Sequence, residues 1–266
     1  MKLSVRRFAT LLAVALWVLA LAGAQGTRFD LVIRGGRVLD GTGNPWFVAD
    51  LGLRDGRVAA IGNLDGAAAA RASDATGKFI APGFIDLHSH SDRGLAVPEL
   101  RYNLNMIAQG ITLSVVNQDG RCPTWPLGAQ KELYEKQGIG NNVALMVGHG
   151  TVRSRVMLGR VADRATDADI AAMQRLVEDG MRAGAFGLST GLEYFPGRFS
   201  DTREVAELTR VVRPFGGFYI SHERSEGKDP MWRVASDPRP AVDLLEAVEE
   251  TIEIGRATGV PVVCSR

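Results

Sequence analysis

From residue 83 onward, apolar runs of strand length alternate with longer segments of helical character, and no other feature of this 266-residue chain narrows its folds as much. The runs lie at 83–88, 111–116, 143–147, 185–188, 217–220 and 260–263, with helix-like stretches at 99–108, 129–137, 167–182, 202–214 and 241–257. Near-continuous apolar strands separated by helices belong to a parallel sheet covered on both faces. Gly110, Gly184, Gly216 and Gly259 each stand just before a strand, where a helix ends. Asp167 and Asp169 open the third helix, at the positive end of its dipole. Six such units can complete a doubly wound sheet, whereas a (β/α)8 barrel needs two more.

The polar residues favour the barrel. His88, His90, Asp119, His149, Glu193 and His222 all fall at or just past the C-terminal ends of the strand-like runs. Barrel enzymes carry their chemistry at that end. His88 and His90 are two residues apart on a segment read as extended, so their side chains share a face. Two imidazoles so placed can reach one metal ion, and neutral imidazole is a common zinc ligand.

Residues 25–80 read as a small β module. Strands at 31–33 and 37–39 flank Gly35-Gly36, and strands at 50–53 and 57–61 flank Asp55-Gly56, a hairpin signal. Residues 67–70 read as a loop or a short helical turn. Before the module, Lys2, Arg6 and Arg7, an apolar stretch at 8–21 and Ala22-Gly23-Ala24 have the form of an export signal ending at residue 24. The mature chain is then expected in a periplasm or outside the cell, with no stable membrane association. A net charge of +1 and the lack of a basic run argue against nucleic acid as a partner. Cys122 and Cys264 are too few for a disulfide framework. The domains read as 1–24, 25–80 and 81–266.

A β module running into Pro82-Gly83-Phe84-Ile85-Asp86-Leu87-His88-Ser89-His90 resembles the amidohydrolase superfamily. Gly148-His149-Gly150-Thr151-Val152-Arg153, Gly187–Tyr194 and Ile220-Ser221-His222-Glu223-Arg224-Ser225-Glu226-Gly227 narrow the resemblance to its D-aminoacylase branch. The resemblance implies a metal-dependent (β/α)8 TIM-like barrel, with about six of its eight units present, beside a small β-sandwich. It also implies hydrolysis of the amide bond of small-molecule N-acyl-D-amino acids, with one or two Zn2+ ions. His88 and His90 match the first-strand ligands, His222 the fifth-strand ligand, and Tyr194 a tyrosine that contacts substrate. His149 and Arg224 are further candidates to face the substrate, Arg224 by bidentate contact with its carboxylate.

The bridging ligand has two candidates. Many superfamily members use a carboxylated lysine after strand four, and no lysine of this chain lies there. D-aminoacylases use a cysteine after the second strand, and Asp119 stands at that position, with Cys122 past the site. Glu193, after strand four, is preferred because it replaces the carboxylated lysine in kind.

At the C-terminus the resemblance implies a second metal-binding histidine after an apolar-apolar-Ser sequence, and Arg266 stands in its place. The strand-eight aspartate that would serve as general base has no counterpart. The chain therefore reads as a C-terminally shortened member, with impaired or absent turnover and self-association through unpaired sheet edges. The alternatives are a hydrolase of cyclic amides, like dihydroorotases and hydantoinases, or a non-catalytic metal-binding fragment.

Overall fold

The computed structural model describes residues 28–233 and 242–265, so the export-signal segment and Arg266 lie outside the described residues. The chain divides into two compact units, one ending at Pro82 and one beginning at Gly83.

The first unit is one five-stranded sheet. Its strands are β1 (Phe29–Val38), β2 (Phe47–Arg54), β3 (Arg57–Gly62), β4 (Ala69–Asp74) and β5 (Phe79–Ile80). The order is β3-β2-β1-β4, with β5 also paired to β1. The Asp55-Gly56 hairpin forms as read, with φ of 52° and 69° at its two central residues. Those left-handed values match the twist of the strands they join. Two expectations are corrected. Residues 31–33 and 37–39 are not separate strands but one, whose pairing with β2 shifts register between Ile33 and Gly36. The shift lets β4 pair along the first part of β1 and β5 along the last. A Cβ on Gly36 would lie 2.3 Å from Ile80 Cδ1, so glycine is needed for that approach. Residues 69 and 70 open β4 and pair in parallel with β1, where their backbone groups find partners.

The second unit carries six parallel strands: β6 (Phe84–Asp86), β7 (Ile111–Val116), β8 (Asn142–Gly148), β9 (Gly187–Gly191), β10 (Phe218–His222) and β11 (Val262–Ser265). They lie side by side in chain order. A doubly wound sheet reverses its order at a switch point. This one does not reverse, which rules out the doubly wound alternative. His88 Nδ1, just past β6, meets Ser265 Oγ at the end of β11, so the C-terminal ends of the first and last of these strands curl toward each other.

The main helices are α1 (Asp92–Leu95), α2 (Leu104–Ile107), α3 (Leu127–Gln137), α4 (His149–Val156), α5 (Asp167–Arg182), α6 (Thr202–Val212) and α7 (Leu244–Thr258). Apolar side chains of α5, α6 and α7, among them Met173, Val177, Leu208 and Ile254, form one buried cluster with Val147, Leu188 and Tyr219 of the strands. Thr166 and Asp243 begin α5 and α7 with reciprocal capping boxes. The helix expected over 99–108 is only its last turn. Asn103 adopts a left-handed φ of 49° and donates its side-chain amide to Asn141, which prevents a continuous helix. Helix α4, which was not among the helix-like stretches of the sequence, begins directly at the Gly148-His149-Gly150 motif.

Candidate metal centre

Four segments bring side chains together past the C-terminal ends of the strands. His88 and His90 lie in a bend beyond β6, not on the strand itself. Asp86 holds that bend by accepting a hydrogen bond from the His88 amide at 3.1 Å. The pair still converges, with its Nε2 atoms 3.1 Å apart. After β7 the chain turns through left-handed residues Asn117 and Asp119, at φ of 68° and 55°. Buried Asn117 anchors the turn by donating to Gln130 and to the Met146 carbonyl. Close packing pins the turn from two sides. A Cβ on Gly148 would lie 2.6 Å from the Gly120 carbonyl, and one on Gly191 would lie 2.6 Å from the Asp119 carbonyl oxygen.

Asp119 is thereby delivered to three histidines. Its Oδ1 lies 3.4 Å from His88 Nε2 and 3.5 Å from His222 Nδ1, and its Oδ2 lies 3.4 Å from His90 Nε2. His222 ends β10, level with Gly191 of β9 and Ser265 of β11. Burial opposes charge on Asp119, but the His88 contact and the neighbouring His222 and His90 more than offset it. Its carboxyl is held below the usual carboxylate range.

The donor atoms fit a divalent ion. Among the described residues, Asp119 Oδ1 and the His222 Nδ1 that faces it are buried without a hydrogen-bond partner. Such atoms are uncommon in folded proteins and call for an explanation. Ligands about 2.0–2.1 Å from a tetrahedral zinc stand about 3.3–3.4 Å from one another, close to the separations seen here. His88, His90 and Asp119 form one group whose ligand atoms lie within 4.8 Å of each other, and Glu193, His222 and Glu226 form a second.

Tyr194 covers the cluster. Its ring lies 4.3 Å from that of His222 at a 38° tilt. Burial, reinforced by the charges of Asp119, Glu226 and Glu193, pushes its phenol up to about 12, so it is a neutral donor at ordinary pH. Together with His90, Asp119, Arg93, Arg121 and Thr151, Tyr194 lines a cavity of about 540 Å³.

The profile of the amidohydrolase family matches residues 71–248. The chain belongs to the amidohydrolase family. The D-aminoacylase of Alcaligenes xylosoxydans xylosoxydans is 38% identical over 89% of this chain and 50% of its own length. The chain thus spans about half the length of the curated relatives it matches. Among solved structures, a D-aminoacylase with a binuclear metal centre superposes with a TM-score of 0.78 at 35% identity, over 90% of this chain and 51% of that one. The N-acyl-D-glutamate deacylase of Bordetella bronchiseptica, complexed with zinc and a phosphonate mimic of the tetrahedral intermediate, gives 0.77 at 35% identity, over 89% and 52%.

In this member of the family, the carboxylate that the histidines share is Asp119. Glu193, the residue preferred from the sequence, meets His222 from the other side, its Oε2 lying 3.5 Å from Nε2. Its Oε1 accepts the Met231 amide at 2.5 Å. Glu226, which was not among the site residues named from the sequence, lies 3.4 Å from the same His222 nitrogen. Its spacing of four residues after His222 was the available signal.

Two expected substrate contacts are not brought to the cluster. His149 is fully buried, and its Nε2 pairs with Glu204 Oε1 at 2.8 Å, while Arg153 holds the other oxygen of Glu204. The imidazole is a structural partner beneath the site. Arg224 spends its guanidinium fork on Glu250, with bonds of 2.9 and 2.8 Å. Cys122 borders the cavity as a free thiol, which burial pushes up to about 12.

Proposed function

We propose that this chain supplies the metal-binding face of a (β/α)8-barrel hydrolase that cleaves the amide bond of N-acyl-D-amino acids. The observation that carries this reading is the convergence of His88, His90, Asp119 and His222 at the C-terminal end of an unreversed parallel sheet. The described residues contribute six strands of such a barrel, and the five-stranded sheet before them is read as half of its β-sandwich.

His88 and His90 with Asp119, and His222 through Nδ1, would hold zinc, one ion or two. When bound, zinc polarises a scissile carbonyl and acidifies a water. The protein's own groups do the rest of the work. Asp119 stays anionic among three imidazoles and keeps them facing one point. Tyr194 presents a neutral phenol above His222, placed to donate to an acyl oxygen. With Arg224 bound to Glu250, the cations of the cavity are Arg93 and Arg121, and these would meet the substrate carboxylate. The Cys122 thiol stays protonated and takes no ligand role.

A hydrolase of cyclic amides fits less well, since superfamily members of that kind use the carboxylated lysine. Lys131 and Lys136 lie on α3, and among the described residues no lysine lines the cavity at Asp119.

The test is a panel of N-acyl-D-amino acids, their L enantiomers and a hydantoin, given to the zinc-loaded protein with acid release and equilibrium binding both measured. D-selective turnover or binding supports the reading. Zinc bound without either, or a preference for the hydantoin, overturns it. Residues 1–24 are proposed to direct export, checked by N-terminal sequencing of secreted protein for cleavage after Ala24.

A further inference from the structure

His222 lies between two acidic groups of the site. Its Nδ1 faces Asp119, while its Nε2 faces Glu193 at 3.5 Å and Glu226 at 3.4 Å. A neutral imidazole has one N–H and one lone pair, so one nitrogen gives a proton to a carboxylate and the other is free to bind. The surroundings decide which. Asp119 is shared with His88 and His90. Glu193 and Glu226 meet no cationic side chain other than His222 within 4.0 Å among the described residues. Two carboxylates serving one nitrogen outweigh one carboxylate already divided among three rings.

We propose that Glu193 and Glu226 are positioning residues, which take the Nε2 hydrogen of His222 and so leave its Nδ1 lone pair directed at the Asp119 side of the site. Glu193 is built for this. It is 2% exposed, its Oε1 is fixed by the Met231 amide, and its unpartnered Oε2 is the atom turned to the ring. Tyr194 stacks on the same ring and limits its rotation. Glu226 is partly exposed, with its side chain 37% accessible, so it links the buried pair to solvent. A carboxylate behind a metal-binding histidine fixes its tautomer and raises its basicity, and loss of such a partner costs about 10–100-fold in metal affinity.

The inference rests on the metal-centre reading above, and the experiment separates the two. The protein is prepared metal-free, and zinc affinity and stoichiometry are measured by chelator competition. The His222 tautomer is read from its side-chain 15N resonances. Glu193→Gln is the informative variant, because its amide oxygen can still accept the Met231 N–H while its NH2 faces the ring. A donor at that place favours a lone pair on Nε2 and leaves Glu226 as the one carboxylate there, so the ring's hydrogen shifts toward Nδ1. The expected result is a larger Nδ1–H population and about 10–100-fold weaker zinc binding at unchanged stoichiometry. Glu226→Gln, at a partly exposed position, should shift the tautomer populations and weaken binding less. It also serves if the buried variant fails to fold.

Affinity and tautomer unchanged in both variants would overturn the proposal. So would loss of a whole equivalent of zinc in Glu226→Gln, since Glu226 would then be a ligand. Asp119→Ala tests the underlying reading independently. If it leaves zinc binding intact, the metal centre itself is misplaced. If it abolishes binding while the glutamate variants behave as wild type, the positioning role alone fails.

Discussion

Asp119 Oδ1 and His222 Nδ1 stand 3.5 Å apart, both buried and neither hydrogen-bonded among the described residues. Asp119 comes from the turn after the second strand of the parallel sheet and His222 from the end of the fifth. Removing the carboxylate should therefore dismantle the cluster. Asp119→Ala is expected to lower zinc affinity by more than the about 10–100-fold typical of residues that act behind a ligand. Titration against a competing chelator measures this, and retention of wild-type affinity would count against the centre.

The buried network beneath the site predicts an acid-sensitive fold. Burial works against the charge of Glu204, but bonds and charges from His149 and Arg153 outweigh it, so its carboxyl lies below the ordinary glutamate range. A carboxyl depressed in the folded state contributes stability in full above its unfolded value of about 4.3 and loses it as pH falls through the folded value. The network should stabilise the protein at neutral pH and weaken below about pH 4. Glu204→Gln leaves Arg153 buried without its anion and should cost about 3–5 kcal/mol, lowering Tm by about 2–4 °C per kcal/mol. Thermal melts of both proteins from pH 3 to 7 check the sign. The gap between them should narrow toward pH 3.

Cys122 should be chemically quiet. A thiol near 12 carries about three orders of magnitude less thiolate at neutral pH than a free cysteine. Thiol reagents are expected to label exposed Cys264 first, and Cys122→Ser should bind zinc as the wild type does. Zinc loss on that substitution would make the thiol a ligand.

Gly148→Ala probes the packing that seats Asp119. The added methyl would fall 2.6 Å from the Gly120 carbonyl carbon and oxygen, both backbone atoms. Displacing that turn should cost about 1–3 kcal/mol and weaken zinc binding together. Thermal stability and chelator competition on the same sample test the coupling. A loss of stability with metal affinity intact would show that the turn moves without taking Asp119 along.

The βα alternation was legible because apolar runs covered on both sides have few other solutions. The strand at Ile111–Val116 and the helix at Asp167–Arg182 form over the residues read for them. The Asp55-Gly56 hairpin was equally local, since two adjacent left-handed residues leave the chain little choice of turn. His88, His90 and His222 could be named as candidates from position alone, each lying at or just past the C-terminal end of a strand-like run.

What residue order could not decide was which partners those side chains would have. The unreversed strand order, and with it the choice against a doubly wound sheet, is a matter of hydrogen bonding between segments far apart in the chain. Asp119 became the shared carboxylate because Asn117, Gly148 and Gly191 let one turn press inward, and no local pattern encodes that approach. His149 and Arg224 resembled substrate contacts as isolated polar residues. Burial against Glu204 and Glu250 gave them other work, because a polar group removed from water must find a partner nearby. The same sequence thus resembled a metal-binding family through several ordered motifs, while only tertiary contact determined which carboxylate faces which nitrogen.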